Sequence, residues 1–316
     1  MMKRYIRNII LLSGLFVIFL LAFELFMLTV PNRYSYKYNY VEQHRNDIRV
    51  LLLGNCHIED ALNPKILGDS VFNTAISGRE IIYDVELAKR FIPQMANLNT
   101  VVMQLDYRSF GFGREKKNPR DYKKHGGFES TFKCMYTKYM KFRVDGWWYW
   151  SEIINSELNY KSRIWMTAKG AIESDSLGFV QLPDSTKNEV WQYWDLPRLY
   201  DTSIPISQEK YDELYKSYQT IAQLAAARNA RFLLLTTPML KTYQEDMVPQ
   251  VEDEMRAFVA KLQKEFPNVD YYDFTRDERF LPEDFHDASH LSESGTIKFS
   301  EIIKEILHER QSCNKV

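Results

Sequence analysis

Short apolar runs alternate with amphipathic segments along much of the chain. Runs with the length and apolar content of buried strands fall at five places: 49–53, 70–73, 100–105, 231–236 and 269–273. Segments in which apolar residues recur at helical spacing lie between or after them: 80–91, 208–228, 248–266 and 295–307. Ser207 and Ser294 stand where the N-caps of two of these helices are expected. This alternation predicts an α/β fold with a parallel sheet covered by helices on both faces.

The N-terminus departs from the alternation because it is almost wholly apolar. Lys3, Arg4 and Arg7 precede an apolar stretch at 8–30, and roughly 20 such residues span a bilayer as a helix. A cleaved signal peptide would need a small-x-small cleavage site, and none is convincing before Pro31. We therefore expect residues 1–31 to be a signal anchor, with one transmembrane helix in the cytoplasmic membrane. The basic flank predicts a cytoplasmic N-terminus and an extracytoplasmic C-terminal domain.

Residues 32–47 are polar and aromatic, with a tyrosine at every second position from Tyr34 to Tyr40. Amphipathic rings just outside a span suit the membrane interface, whereas a period of two also fits an edge strand or a plain tether. We treat 32–47 as a juxtamembrane linker and 48–316 as the extracytoplasmic domain.

A long interruption at 110–206 separates the third and fourth predicted strands. It holds all six tryptophans of the chain and is too long for an ordinary loop. The composition predicts a Trp-rich helical insertion that caps the domain. Its rings either pack the insertion onto the sheet or stack on a sugar, and the sequence leaves both possibilities open.

Charge and cysteine content narrow the function classes. The formal net charge is −1, which gives no reason to expect binding to nucleic acid. Three cysteines (Cys56, Cys134 and Cys313) are an odd number for an exported protein, so one pair forms a disulfide or all three stay free.

The most informative stretch is 48–64, which reads IRVLLLGNCHIEDALNP. Its apolar run ends at the turn signal Gly54-Asn55, and Cys56 and His57 follow where the chain leaves the strand. In open α/β sheets this carboxyl edge is where ligands and catalytic groups collect. Cys56 is therefore a candidate nucleophile. The alternatives are an inert buried thiol, a disulfide partner, or a bystander to a functional His57.

A second polar stretch follows the last predicted strand and precedes the last predicted helix. Asp287 and His290 are three residues apart, so one loop delivers both. A carboxylate beside an imidazole fixes its tautomer and supports the imidazolium that forms when the ring takes a proton. If this imidazole reaches Cys56, the parts of an acyl-transfer site are present.

A zinc site is the competing interpretation of the same edge. His286 and His290 are four residues apart, with Asp287 between them and His57 at the same edge of the sheet. That spacing places two ligands on one face only within a helix, and Pro282 with the polar run around it predicts a loop. The sequence alone therefore predicts no metal site.

In this order, the motifs resemble those of the SGNH/GDSL hydrolase superfamily, in particular its membrane-anchored acyltransferase-like branch. Gly54-Asn55-Cys56 stands where the family has Gly-x-Ser, and the segment 72–78 resembles its oxyanion block, which ends at Gly78. The segment 287–295 is similar to its Asp-x-x-His block, and the resemblance spans about 48–307. Two departures stand out: Cys56 replaces serine, and the third block, Gly-x-Asn-Asp, is not evident in 101–110, where Asp106 is one possible occupant.

The resemblance implies a flavodoxin-like three-layer fold and an enzyme that transfers or hydrolyses an O-acyl group, acetyl first, on a cell-envelope glycan. Cys56 would be the nucleophile, His290 the base and Asp287 its orienting carboxylate. Further candidates for oxyanion or substrate binding are Gly78, Asn55, His57, Asn73 and Asp106.

No cofactor is implied by the resemblance. Its expected partners are an envelope glycan or acylated carrier and a multi-pass membrane O-acyltransferase. The alternative function is a catalytically inactive glycan-binding or assembly subunit.

Overall fold

The chain divides into two compact units, and the site lies in the second. One unit comprises Met1–Tyr36 and Gly126–Glu173, and the other comprises Lys37–His125 and Ser174–Val316. The computed structural model describes residues 2–29, 31–111, 139–140, 174–182 and 206–313. Most of the predicted cap at 110–206, with all of its tryptophans, lies outside the described residues.

Five parallel strands form the sheet of the second unit. They are β1 (Val50–Leu53), β2 (Val71–Asn73), β3 (Thr100–Gln104), β4 (Arg231–Thr236) and β5 (Val269–Asp273). Their order is β2-β1-β3-β4-β5, so the winding direction reverses between β1 and β3. All five predicted strands are confirmed, and so is the flavodoxin-like α/β class. In such sheets the crevice at the reversal point is the usual ligand site.

Helices cover both faces of this sheet. The α-helices of the described residues are α1 (Met2–Thr29), α2 (Arg33–His44), α3 (Cys56–Glu59), α4 (Pro64–Leu67), α5 (Ile81–Phe91), α6 (Tyr107–Gly111), α7 (Gln208–Ala226), α8 (Lys241–Glu245), α9 (Pro249–Glu265) and α10 (Glu293–Cys313). Short 3₁₀ helices lie at Ile92–Gln94 and Pro282–Asp284.

The alternation of side chains along β4 shows the three layers. Leu233 belongs to a buried cluster with Phe299 and Ile303 of α10. The preceding residue, Phe232, stacks on Tyr218 of α7 with ring centroids 6.4 Å apart, on the opposite face. Because successive strand residues point to opposite faces, a strand buried on both sides is apolar at consecutive positions.

The apolar N-terminal segment is one long helix. Within α1, Met2–Phe23 has a mean hydropathy of 2.3 and none of it is buried. Its length and composition suffice to cross a membrane.

Residues 33–44 form α2, so the edge strand that the sequence left open as an alternative is not formed there. Tyr34, Tyr38 and Val41 are buried at helical spacing, and the Tyr38 ring meets Phe91 edge-on at 5.1 Å. Tyrosine at every second position fits a strand. The residues that are actually buried, however, are spaced by four and then three, which is the spacing of one helix face. Burial of that stripe of residues, rather than local alternation, decides the structure.

One of the two predicted helix caps is confirmed. The Ser207 hydroxyl accepts a hydrogen bond from the Lys210 amide at the start of α7. The prediction for Ser294 is wrong, because α10 begins at Glu293, two residues before the predicted start, and the Ser292 hydroxyl accepts from the Gly295 amide. Ser294 instead places its hydroxyl 3.1 Å from Asp284 Oδ1.

Replacing Gly54 should destabilise the fold more than replacing Gly68. Both have left-handed φ angles, +130° and +137°, so alanine at either costs about 1–3 kcal/mol in backbone strain. A Cβ at Gly68 meets nothing within 4 Å, whereas one at Gly54 would lie 1.7 Å from Gln104 Oε1. We expect Gly54→Ala to cost about 1 kcal/mol more, because Gln104 must give up a hydrogen bond to move away. Denaturant unfolding of the two full-length variants measures the difference.

Equal decreases in the free energy of unfolding would contradict this prediction, because they would show that the Gln104 side chain moves away at no cost. The same comparison can be made in a Gln104→Ala background, where the clash is absent. There, Gly54→Ala and Gly68→Ala should lower the free energy of unfolding by more similar amounts.

Candidate active site

A tight turn at the end of β1 fixes the backbone of the candidate nucleophile. The Gly54 amide donates to Asp84 Oδ1 at 2.9 Å, and the Asn55 amide donates to Gln104 Oε1 at 3.2 Å. The Asn55 side chain then accepts from the His57 amide at 3.0 Å and caps α3. Cys56 is therefore the first residue of a helix, held by side chains from α5 and β3.

Asp84 is the buried anchor of this turn. Its carboxylate and the Arg79 guanidinium form an ion pair with both side chains at 0% exposure. Burial raises the pKa of Asp84 to about 6, against the opposing effects of Arg79 and the Gly54 amide. Arg79, which follows Gly78, is therefore a buried partner of Asp84.

The loop before α10 delivers an imidazole with its orienting carboxylate. His290 Nδ1 lies 2.9 Å and 2.8 Å from the two Asp287 oxygens, and Asp287 Oδ1 also accepts from the Ser289 and His290 amides. The loop closes on itself through the His286 amide, which donates to the His290 carbonyl at 2.9 Å. Burial acts to raise the pKa of Asp287, but the hydrogen bond and charge of His290, together with the Ser289 and His290 amides, outweigh it and hold that pKa well below its usual range.

Cys56 is a free thiol beside this imidazole, so the disulfide alternative for Cys56 does not hold. Burial acts to raise the pKa of Cys56, but the charges of His290 and His57 and a hydrogen bond with His290 lower it. Conversely, burial acts to lower the pKa of His290, and the thiolate with Asp287 raises it well above the ordinary histidine value. These shifts favour a thiolate–imidazolium pair.

A second imidazole–carboxylate pair adjoins the first. His57 Nδ1 lies 2.9 Å from Asp106 Oδ1, and both side chains are 2% exposed. The two groups attract each other as an ion pair when the ring is protonated. The two imidazole rings meet edge-on, with centroids 5.0 Å apart. Burial acts to lower the pKa of His57, but Asp106 and Cys56 raise it.

A second turn carries Gly78, one of the two candidate oxyanion donors; the other is Cys56. Gly78 is exposed with φ of +74°, and the preceding Ser77 donates through both its amide and its hydroxyl to Glu59 Oε2. Among the hydrogen bonds of the described residues, none uses the amide of Cys56 or of Gly78. Both amides are therefore available to an oxyanion.

Asn73 is placed differently from the expectation. It is 0% exposed, and its amide nitrogen donates to the carbonyls of Ile58, Glu59 and Leu62. Its carbonyl oxygen accepts from the Ala75 amide. Since every polar atom of this side chain is used within the fold, Asn73 ties α3 to β2 and has nothing left for a substrate.

The structure thus brings together five of the predicted site residues: Cys56, His57, Asp106, Asp287 and His290. Asn55 and Gly78 lie in the adjoining turns, and the roles of all seven stay predictions.

Two positioning residues, Gln104 and Asp84, were not anticipated. Each is a polar residue within an otherwise apolar strand or helix face, and that mismatch is the signal that marks them.

Of the residues in the competing zinc interpretation, His57 and His290 lie close together, and Cys56 joins them. Asp287 is engaged by His290, and the described residues that do converge are Cys56, His57 and His290.

Comparisons with known proteins find structural similarity but no family. No family model matches the chain, and no curated protein matches it. One similar solved structure is a protein from Streptococcus pneumonia that is provisionally described as a platelet activating factor. It is 12% identical, with a TM-score of 0.44, over 92% of this chain and 99% of that one.

The thiol should titrate below an ordinary cysteine. Because His290 stabilises the thiolate, iodoacetamide should alkylate Cys56 with a midpoint below the reference pKa of 9.0. His290→Ala should raise that midpoint, and each unit of increase slows alkylation at neutral pH about tenfold. Alkylation rates across pH, followed by peptide mass spectrometry, measure both values.

His286→Ala is the matched control, a histidine of the same loop outside the thiol cluster. An unchanged midpoint in His290→Ala would contradict the ion pair.

Proposed function

We propose that this chain is an acyl-transfer enzyme that uses Cys56 as its nucleophile. The observation that carries the proposal is the Cys56–His290–Asp287 array, in which a free thiol meets an imidazole held by a carboxylate. The amides of Cys56 and Gly78, which make no hydrogen bond among the described residues, are the proposed oxyanion hole.

The first half-reaction makes a thioester. The Cys56 thiolate attacks the carbonyl carbon of an O-acyl donor, and the electron pair of the carbonyl moves to its oxygen, which the amides of Cys56 and Gly78 stabilise. The tetrahedral intermediate collapses, the carbon–oxygen bond to the donor breaks, and the leaving alkoxide takes a proton from His290. The acyl group is then attached to Sγ.

The second half-reaction regenerates the thiolate. His290 takes a proton from an acceptor hydroxyl or from water, the oxygen attacks the thioester, and Sγ leaves as thiolate. Asp287 keeps the His290 ring in one tautomer throughout, because its oxygens hold Nδ1 and leave Nε2 for the proton.

The proposed substrate is an O-acetylated glycan or acylated carrier of the cell envelope. The support is the resemblance of the sequence motifs, together with an N-terminal helix apolar enough to hold the domain at a membrane. The proposed location is the cytoplasmic membrane with the domain outside, and the proposed partner is a multi-pass O-acyltransferase that brings the acyl group across. The transferase and esterase versions differ only in whether a sugar hydroxyl or water takes the acyl group.

The second candidate is a catalytically inactive glycan-binding or assembly subunit. The observation that favours it is Asp106, two residues after β3, near where the superfamily that the motifs resemble has an asparagine donor. Here Asp106 is 1% exposed and paired with His57, so it offers no donor to an oxyanion. Losing one such donor costs about 10²–10³ in rate in other enzymes.

Turnover of a small acetyl ester separates the two candidates. We expect the full-length protein in detergent to form an acetyl-thioester on Cys56, and His290→Ala to slow its formation about 10²–10⁴-fold. Cys56→Ala should abolish the adduct, whereas Cys134→Ala and Cys313→Ala should keep it. Intact-mass measurements after rapid quench detect the adduct, and its sensitivity to hydroxylamine identifies a thioester. Equal turnover in wild type and Cys56→Ala would refute the enzyme.

A further inference from the structure

One thiol faces two imidazoles, each backed by its own carboxylate. His290 Nδ1 lies 2.8 Å from Asp287, and His57 Nδ1 lies 2.9 Å from Asp106. Acyl transfer through Cys56 uses only the first pair. The second pair is almost completely buried, so it is poorly placed to exchange protons with an acceptor that arrives from solvent.

The three side chains present one set of donor atoms. Sγ of Cys56 and one ring nitrogen each of His57 and His290 lie within 4.8 Å of one another. Because both Nδ1 atoms lie against carboxylates, the Nε2 atoms are the ones left to bind a metal. Around tetrahedral zinc, with bonds of about 2.0–2.3 Å, neighbouring sulfur and nitrogen donors are about 3.5 Å apart. Side-chain shifts on the order of 1 Å therefore close the set around one ion.

The surrounding carboxylates are those that such a site requires. A histidine that binds zinc commonly gives its other ring nitrogen to a carboxylate, which fixes the tautomer and strengthens the ligand. Asp287 stands in that relation to His290, and Asp106 lies 2.9 Å from Nδ1 of His57. One thiolate, two imidazoles and an open fourth position form a donor set typical of zinc.

We propose that Cys56, His57 and His290 bind a thiophilic divalent cation of the zinc class, and that occupancy blocks acyl transfer. The metal site stands on this geometry alone, and the blocking effect rests on the proposed function. A bound ion takes the lone pairs of Sγ and of His290 Nε2, which are the nucleophile and the base. The site is thus a reversible off-switch for the same chemistry.

Cobalt(II) is the direct probe, because its absorption spectrum reports both thiolate ligation and coordination number. We expect chelator-treated full-length protein to take up one Co²⁺ with thiolate-to-metal charge-transfer absorption, and Zn²⁺ to displace it. Cys56→Ala should abolish that absorption. Asp106→Asn should weaken Co²⁺ binding about 10–100-fold, and His57→Asn, which removes a ligand, should weaken it more.

Two further measurements guard against variants that fail to fold. His286→Asn, the matched control from the same loop, should bind Co²⁺ like the wild type. In the wild type itself, Zn²⁺ should protect Cys56 from iodoacetamide, and EDTA should restore the alkylation. Absence of charge-transfer absorption and of protection, or wild-type affinity in His57→Asn, would overturn the metal site.

Ester turnover distinguishes the failure of this inference from the failure of the proposed function. Turnover in the stripped protein that falls in proportion to Zn²⁺ occupancy supports both. If Zn²⁺ does not change turnover and Co²⁺ does not bind, the metal site is overturned and the proposed enzyme activity still stands. Co²⁺ binding without turnover in the stripped protein leaves the metal site and overturns the enzyme, and turnover that requires Zn²⁺ overturns the off-switch.

Discussion

The whole site depends on the backbone of one glycine. Gly54 adopts a φ angle that side-chain-bearing residues rarely take, and its Cα faces the Gln104 side chain too closely for a Cβ. The turn is then fixed from two directions, by Asp84 on the Gly54 amide and by Gln104 on the Asn55 amide. Because the turn ends a buried central strand, these contacts place Cys56 at the reversal point of the sheet.

In that position the Cys56 thiol lies near charged groups from three separate parts of the chain. His57 comes from the same turn, Asp106 follows β3, and the pair of Asp287 and His290 comes from the loop before α10. Two carboxylates and a thiolate face two imidazoles, so protonating the rings nearly balances the charge of the cluster. This balance explains why burial, which opposes every charged form here, is outweighed for the thiolate and for both imidazoles.

Features encoded by neighbouring residues could be predicted from the sequence, and features that depend on distant residues could not. The apolar runs define the strands, and Asp287 with His290 was predictable because a three-residue spacing in one loop brings the pair together. The partnership of His57 with Asp106 joins two different strand ends, and no local pattern announces it. The position of Asn73 in the motif suggested a substrate contact. In the structure its side chain is buried and donates to three backbone carbonyls, a set of contacts that the local sequence does not indicate.

A buried ion pair connects α2 to this machinery. Lys37 and Glu59 are both 0% exposed with Nζ 2.8 Å from Oε1, and the other oxygen of Glu59 accepts from Ser77, next to Gly78. Such a pair is weak evidence for stability, since the desolvation of both charges offsets most of their attraction. Its geometric effect is larger, because one carboxylate of α3, three residues after Cys56, determines where the turn that carries Gly78 lies. We interpret the pair as holding α3, which begins with Cys56, against the turn that carries Gly78. The segment that follows the apolar N-terminal helix is therefore part of the site's framework, not only a tether to it.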